Sequence, residues 1–229
     1  MNIVAVIPAR GGSKGIPLKN LQPVQDKPLI VHTIEHAQSS QLINRVVVNT
    51  DHSEIASVAK NCGAEVLSRP KEMGSDTSEV DPLLMWTVNK IEEIDSARVD
   101  IIVLLYPTAP LRRVSAIDEA INMVVSEGFD SVLSLYRDET YLWRVNDGVV
   151  EPTNYIPAER APRQLEGWNQ WAENKALYVM KRDLLMESGC RLGGRIGYVE
   201  MSKGESIDID EPDDLDLCRQ IMKQKSALK

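Results

Sequence analysis

The sequence predicts an α/β protein built as a three-layer, mainly parallel sheet with helices on both faces. Three observations carry this. Short runs of branched apolar residues alternate with segments of helical period along most of the chain, and strands without polar alternation belong to sheets covered on both sides. A length of 229 residues is long for one average domain and short for two, and α/β sheets of this size fold as one unit burying roughly 70% of their unfolded surface. A glycine-rich loop stands directly behind the first strand, at the carboxyl end where open α/β sheets take their ligands.

The elements follow in order. Ile3-Val4-Ala5-Val6-Ile7 is a buried strand, and residues 27–37 read as a helix with Pro28 in its first turn and Leu29, Ile30, Thr33, Ile34 and Ala37 on one side. His32 and His36 lie four apart on it; without a third ligand or an H-E-x-x-H pattern, a helix-packing or solvated pair outweighs a metal site. A strand at 45–51, a helix at 53–61 closed by Gly63, and a short strand at 64–67 come next. Then follow a helix at 80–94, a strand at 100–105, a helix at 115–126 and a strand at 131–135. The pattern breaks over 137–175, a stretch rich in proline and tryptophan with little helical period. So long an irregular loop is unusual inside one domain, so this segment reads as an arm that packs elsewhere or a lid folded back on its own chain. Regular structure resumes with a strand at 176–180, a helix at 182–187, a strand at 196–201 and a terminal helix at 212–225. The chain is thus one domain, 1–229, with 137–175 inserted as a protruding arm.

Composition sets outer limits. Hydrophobic residues make up 43% and charged residues 26%, with a net charge of −8, which argues against nonspecific nucleic-acid binding. The cations that matter are local. Cys62, Cys190 and Cys218 are far apart and lack metal-ligand spacing, so all three are expected reduced and at least partly buried. No apolar run approaches the ~18 residues of a membrane span, and Met1 leads directly into a strand, so neither a membrane segment nor a signal peptide is expected and the cytoplasm is the expected compartment.

The chemistry begins in the loop. Gly11, Gly12 and Gly15, with Arg10, Lys14 and Lys19, suit a phosphate cradle, because glycine lets backbone N–H groups turn toward an anion and the cations neutralise it. The spacing matches neither a P-loop nor the dinucleotide fingerprint, and a basic surface loop is the bland alternative. A second constellation is Ser206-Ile207-Asp208-Ile209-Asp210-Glu211-Pro212. In extended chain, Asp208 and Asp210 project together while Ile207 and Ile209 turn inward. Two neighbouring carboxylates suit magnesium. Alternatively, Asp210 to Asp214 serve a helix N-terminus.

The stretch Ala9-Arg10-Gly11-Gly12-Ser13-Lys14-Gly15-Ile16-Pro17-Leu18-Lys19-Asn20-Leu21 resembles the opening motif of the CMP-sialic acid synthetases, or N-acylneuraminate cytidylyltransferases. Four further stretches, in order to Leu217, support the resemblance: Arg69-Pro70 with Ser78 downstream, Tyr106-Pro107-Thr108-Ala109-Pro110-Leu111-Arg112, Pro162-Arg163-Gln164, and Ile207-Asp208-Ile209-Asp210. The resemblance implies a Rossmann-like, nucleotidyltransferase-type fold, an arm that crosses to a second subunit in a homodimer, and a magnesium-assisted reaction. In that reaction the anomeric hydroxyl of a keto-acid sugar attacks the α-phosphate of CTP and pyrophosphate leaves. It further implies nucleotide contacts from Arg10, Gly11, Gly12, Lys14, Lys19, Asn20, Arg69 and Ser78, catalytic roles for Arg10, Lys19 and Arg163, sugar contacts from Tyr106 and Arg163, and magnesium on Asp208 and Asp210. The cap of a following helix is the structural alternative for Asp76-Thr77-Ser78, and an exposed salt bridge for Arg163. Two departures bear on the sugar: Tyr106 stands where glutamine is usual, and Lys175 where glycine is usual. Kdo cytidylyltransferase, a sugar-1-phosphate nucleotidyltransferase and a noncatalytic nucleotide-binding module are the alternatives.

Overall fold

The computed structural model describes residues 1–74, 78–160 and 169–227. In chain order the strands are β1 (Ile3–Pro8), β2 (Pro23–Val24), β3 (Lys27–Pro28), β4 (Arg45–Thr50), β5 (Glu65–Ser68), β6 (Ile101–Leu104), β7 (Ser131–Arg137), β8 (Trp143–Asn146), β9 (Val149–Pro152), β10 (Trp171–Lys181) and β11 (Ile196–Glu200). The helices are α1 (Leu29–Ser39), α2 (Ser53–Asn61), α3 (Val80–Asp95), α4 (Val114–Ser126), α5 (Arg182–Ser188) and α6 (Pro212–Ala227).

Seven strands form the central sheet in the order β11-β7-β10-β6-β1-β4-β5. β1 runs parallel to both β4 and β6, β5 is parallel to β4, and β11 is parallel to β7; β10 alone among these pairings runs antiparallel, against β6 and β7. The expectation of a mainly parallel sheet holds. Alternate residues of one strand supply the two faces: Ile3, Ala5 and Ile7 pack in one buried cluster with Ile34, Ile55 and Ile117, while Val4 and Val6 pack in another with Leu84, Val88 and Leu185. The first cluster lies beneath α1, α2 and α4, the second beneath α3 and α5, which gives the three layers. A third cluster, including Ile16, Leu29, Ile209, Leu215 and Cys218, joins the glycine loop to the start of α6.

Several boundaries differ from expectation for identifiable reasons. Pro28 caps α1 from outside, with φ −56° and ψ 143°, and closes the tiny β2–β3 ladder; the helix itself begins at Leu29. β10 starts at Trp171, well before the expected 176, because a register shift between Glu173 and Tyr178 interrupts its alternation. The arm is not wholly irregular: β8 and β9 form an antiparallel hairpin turning at Asp147 and Gly148, both at positive φ. Cys190 is exposed, against the expectation that all three cysteines are at least partly buried. His32 and His36 pack within the fold, His32 with its Nε2 3.0 Å from the Val24 carbonyl oxygen.

Candidate active site

β1 lies between β4 and β6, and the chain leaves β1 for α1 and β4 on one side while β6 approaches from the other. Such a switch in strand order opens a crevice beyond the carboxyl ends. A cleft of about 670 Å³ stands there. It is lined by Arg10, Gly12, Lys19 and Asn20 from the glycine loop, Arg69 and Ser78 after β5, Tyr106 and Thr108 after β6, and Asp208 and Asp210 before α6. Gly11 and Lys14 belong to the loop but do not line the cleft.

The loop is held by specific groups. The Gly11 N–H donates to Asp51 Oδ1 at 2.8 Å, and a Cβ on Gly11 would stand 2.8 Å from the Cβ of His52. A Cβ on Gly15 would stand 2.3 Å from the Asp210 carbonyl oxygen, so any larger residue forces the loop and the acidic segment apart. At Gly12, by contrast, open space surrounds the Cβ position. Buried Asn20 donates from Nδ2 to the Arg10 carbonyl oxygen at 3.0 Å, drawing the two ends of the loop together.

The acidic segment is fixed from two directions. The Ile209 N–H donates to the Thr108 carbonyl oxygen at 2.8 Å, and the Ile209 side chain is fully buried. The expected alternation follows: Ile209 turns inward and its neighbours Asp208 and Asp210 face the cleft. Asp214 accepts from the N–H groups of Asp210 and Glu211 at 3.0 and 2.8 Å, so it caps α6 and leaves the Asp210 carboxylate for the cleft. Lys19 Nζ lies 3.0 Å from Asp210 Oδ1 and donates to the Ile209 carbonyl oxygen at 2.5 Å. Lys175 Nζ lies 3.0 Å from Asp208 Oδ2; this partner raises the lysine above its ordinary pKa.

The acidic pair offers a hard divalent cation suitable donors, since two carboxylates face one cleft, but each is already paired with an ammonium group. Among the described residues no cluster of three or more His, Cys, Asp or Glu could hold a metal.

The turn after β6 is clamped from below. Arg112 is fully buried, donates from Nη1 to Thr33 Oγ1 at 3.1 Å and from Nη2 to the Tyr106 carbonyl oxygen, and is pushed down to about 9 by burial. Tyr106 meets Tyr178 edge to face with centroids 6.3 Å apart, and burial pushes its hydroxyl up to about 12. Arg69 is lowered by burial, and its Nε is buried without a hydrogen-bond partner. Ser78 Oγ donates to the Glu72 carbonyl oxygen at 3.4 Å. α3 has Glu79 at its N-cap and no side-chain cap hydrogen bond. Ser75, Asp76 and Thr77 lie outside the described residues, as does Arg163 with the rest of 161–168.

Two cleft residues escaped the sequence reading. Arg191 pairs with Asp81 at 2.8 Å and stands 4.8 Å from the ring centre of Tyr178. These partners lie 110 positions apart, and no local motif announces them.

Residues 4–228 match the family model described as cytidylyltransferase. The chain is 37% identical over 215 residues to N-acylneuraminate cytidylyltransferase A of Danio rerio, covering 91% of this chain but 48% of that protein. It thus spans about half the length of that relative. It is 30% identical to the CMP-N,N'-diacetyllegionaminic acid synthase of Legionella pneumophila, with 97% of each chain covered. In fold it matches a CMP:2-keto-3-deoxy-manno-octonic acid synthetase solved with CTP, at a TM-score of 0.72 and 20% identity over 98% of this chain and all of that one. With a family model spanning nearly its whole length and a relative matched end to end, the chain belongs to the cytidylyltransferase family.

Proposed function

We propose that this protein transfers CMP from CTP to the anomeric hydroxyl of a nonulosonic, sialic-acid-like keto-acid sugar, giving the CMP-sugar and pyrophosphate with magnesium assistance. The single observation that carries the reading is the 3.0 Å approach of Lys19 to Asp210 across 191 positions of sequence: the glycine loop and the acidic segment face one cleft. The names of the relatives support the substrate class.

The residues divide the work by position. Arg10 and Lys19 neutralise the triphosphate and the charge on departing pyrophosphate, with Lys14 as an auxiliary cation, while Gly12 leaves room for phosphate to approach the backbone. Asn20 keeps the loop in shape, and Arg69 and Ser78 contact the nucleotide. Asp208 and Asp210 would hold magnesium, which when bound supplies Lewis-acid charge to the triphosphate. Tyr106 faces the sugar, and Arg163 on the arm pairs with its carboxylate. Chemistry of this kind needs alignment and charge rather than a covalent nucleophile.

We also infer a homodimer made through the arm. The β8–β9 hairpin is exposed at every strand residue but Pro152, including Trp143, Val145, Val149 and Val150. An isolated two-stranded hairpin is marginal in water, and a second copy would cover it.

The experiment is pyrophosphate release from each of the four nucleoside triphosphates, with Mg²⁺ and a panel of acceptors: N-acetylneuraminate, Kdn, legionaminate, Kdo and an aldose 1-phosphate. Release with CTP and at least one nonulosonate is the expected result. Turnover with Kdo alone selects the octulosonate reading, activity on the aldose phosphate selects the sugar-phosphate transferase, and CTP binding without turnover selects a binding module.

A further inference from the structure

Lys175 is held in a conformation that side chains avoid. Its φ is +56°, in the left-handed region that glycine enters freely and a lysine enters only at a cost. The position lies in the register shift of β10, between the stretch pairing with β7 through Glu173 and the stretch resuming at Tyr178. Bulges re-aim side chains, and this one sends the ammonium into the cleft to Asp208 Oδ2 at 3.0 Å. Strain of this kind collects at functional positions.

The two ammonium groups that face the acidic pair are not equivalent. Lys19 is 12% exposed and bonded to both the Asp210 carboxylate and the Ile209 carbonyl oxygen, so it is fixed. Lys175 is 58% exposed, and Asp208 is its one hydrogen-bond partner among the described residues. Each of the two carboxylates thus has an ammonium partner of its own. A divalent cation arriving there meets an aspartate already taken, and Lys175 is the partner free to swing away.

We propose that Lys175 is a resident counter-ion of Asp208, standing where a divalent cation binds and weakening the hold of the acidic pair on that cation until it is displaced. This rests on the reading of Asp208 and Asp210 as the magnesium site. It makes Lys175 a positioning residue that sets metal affinity, with its ammonium left beside incoming anions once displaced.

The test is binding of Mn²⁺ alone to the full chain without nucleotide, read as free Mn²⁺ by electron paramagnetic resonance. Lys175→Met and Lys175→Gly are expected to bind Mn²⁺ at least about threefold more tightly than the unaltered protein, the scale of one partly exposed ion pair. Lys175→Arg keeps the original affinity, and Asp208→Asn loses it. The glycine variant fits the local backbone without strain, so a folding failure of the methionine variant does not decide the matter. Equal affinity in the unaltered, Met and Gly proteins, with loss in Asp208→Asn, overturns the counter-ion role and leaves the acidic pair standing. Unchanged affinity in Asp208→Asn overturns the metal site and this proposal with it.

Discussion

His36 shows how much a single buried side chain records about its surroundings. It stands on α1 with its Nδ1 buried and unpartnered, and burial, the Arg112 guanidinium and His32 together push its imidazole down to about 3. The ring is therefore neutral in the folded protein above about pH 3, while in the unfolded chain it takes a proton below about 6.5. Between those values the unfolded state binds more protons, so this group's contribution to stability falls as pH falls. Urea unfolding at pH 7 and pH 5 is expected to show about 2 kcal/mol more loss in the unaltered protein than in His36→Leu. Equal losses would mean that His36 titrates normally. The residue scale is also where sequence alone was weakest. The loop glycines and the two aspartates stood out by spacing, but the Arg191–Asp81 pair and the reach of Lys175 to Asp208 depend on side chains brought together only by the finished sheet.

At the scale of elements, the strongly periodic segments were legible because burial on one face dictates their spacing. α2 and α3 begin where the pattern says they should. Two of the misread boundaries share one cause, backbone that interrupts a period. The left-handed Lys175 hides the first half of β10, and Pro28, expected in the first turn of α1, sits just outside it. The arm hairpin carried an available signal in Asp147-Gly148, a turn pair that favours tight hairpins. That hairpin also yields a prediction. Val145 and Val150 are cross-strand partners, 66% and 55% exposed. Replacing them together, Val145→Lys with Val150→Glu, keeps a favourable cross-strand pair while removing apolar area. Sedimentation is expected to show a dimer for the unaltered chain and a monomer for the double variant at the same concentration. A monomeric unaltered chain, or a variant that stays dimeric, would remove the arm from the interface.

Across the whole molecule, the alternation of strands and helices carried the architecture, because a parallel sheet can be closed only by crossover helices that cover it. That logic also located the cleft, since the glycine loop leaves β1 where the strand order turns. What the alternation could not specify is the return of the chain after β11, which threads Ile209 beneath the Thr108 turn and delivers two carboxylates to a loop made near the amino terminus. The functional reading depends on that return. A double-mutant cycle on CTP-dependent pyrophosphate release tests it most directly, comparing Lys19→Ala, Asp210→Asn and the double variant. Groups that serve one reaction centre lose their effects non-additively, so the double variant is expected to be little worse than the more damaging single variant. Losses that multiply independently would place Lys19 and Asp210 in separate roles and contradict a shared site.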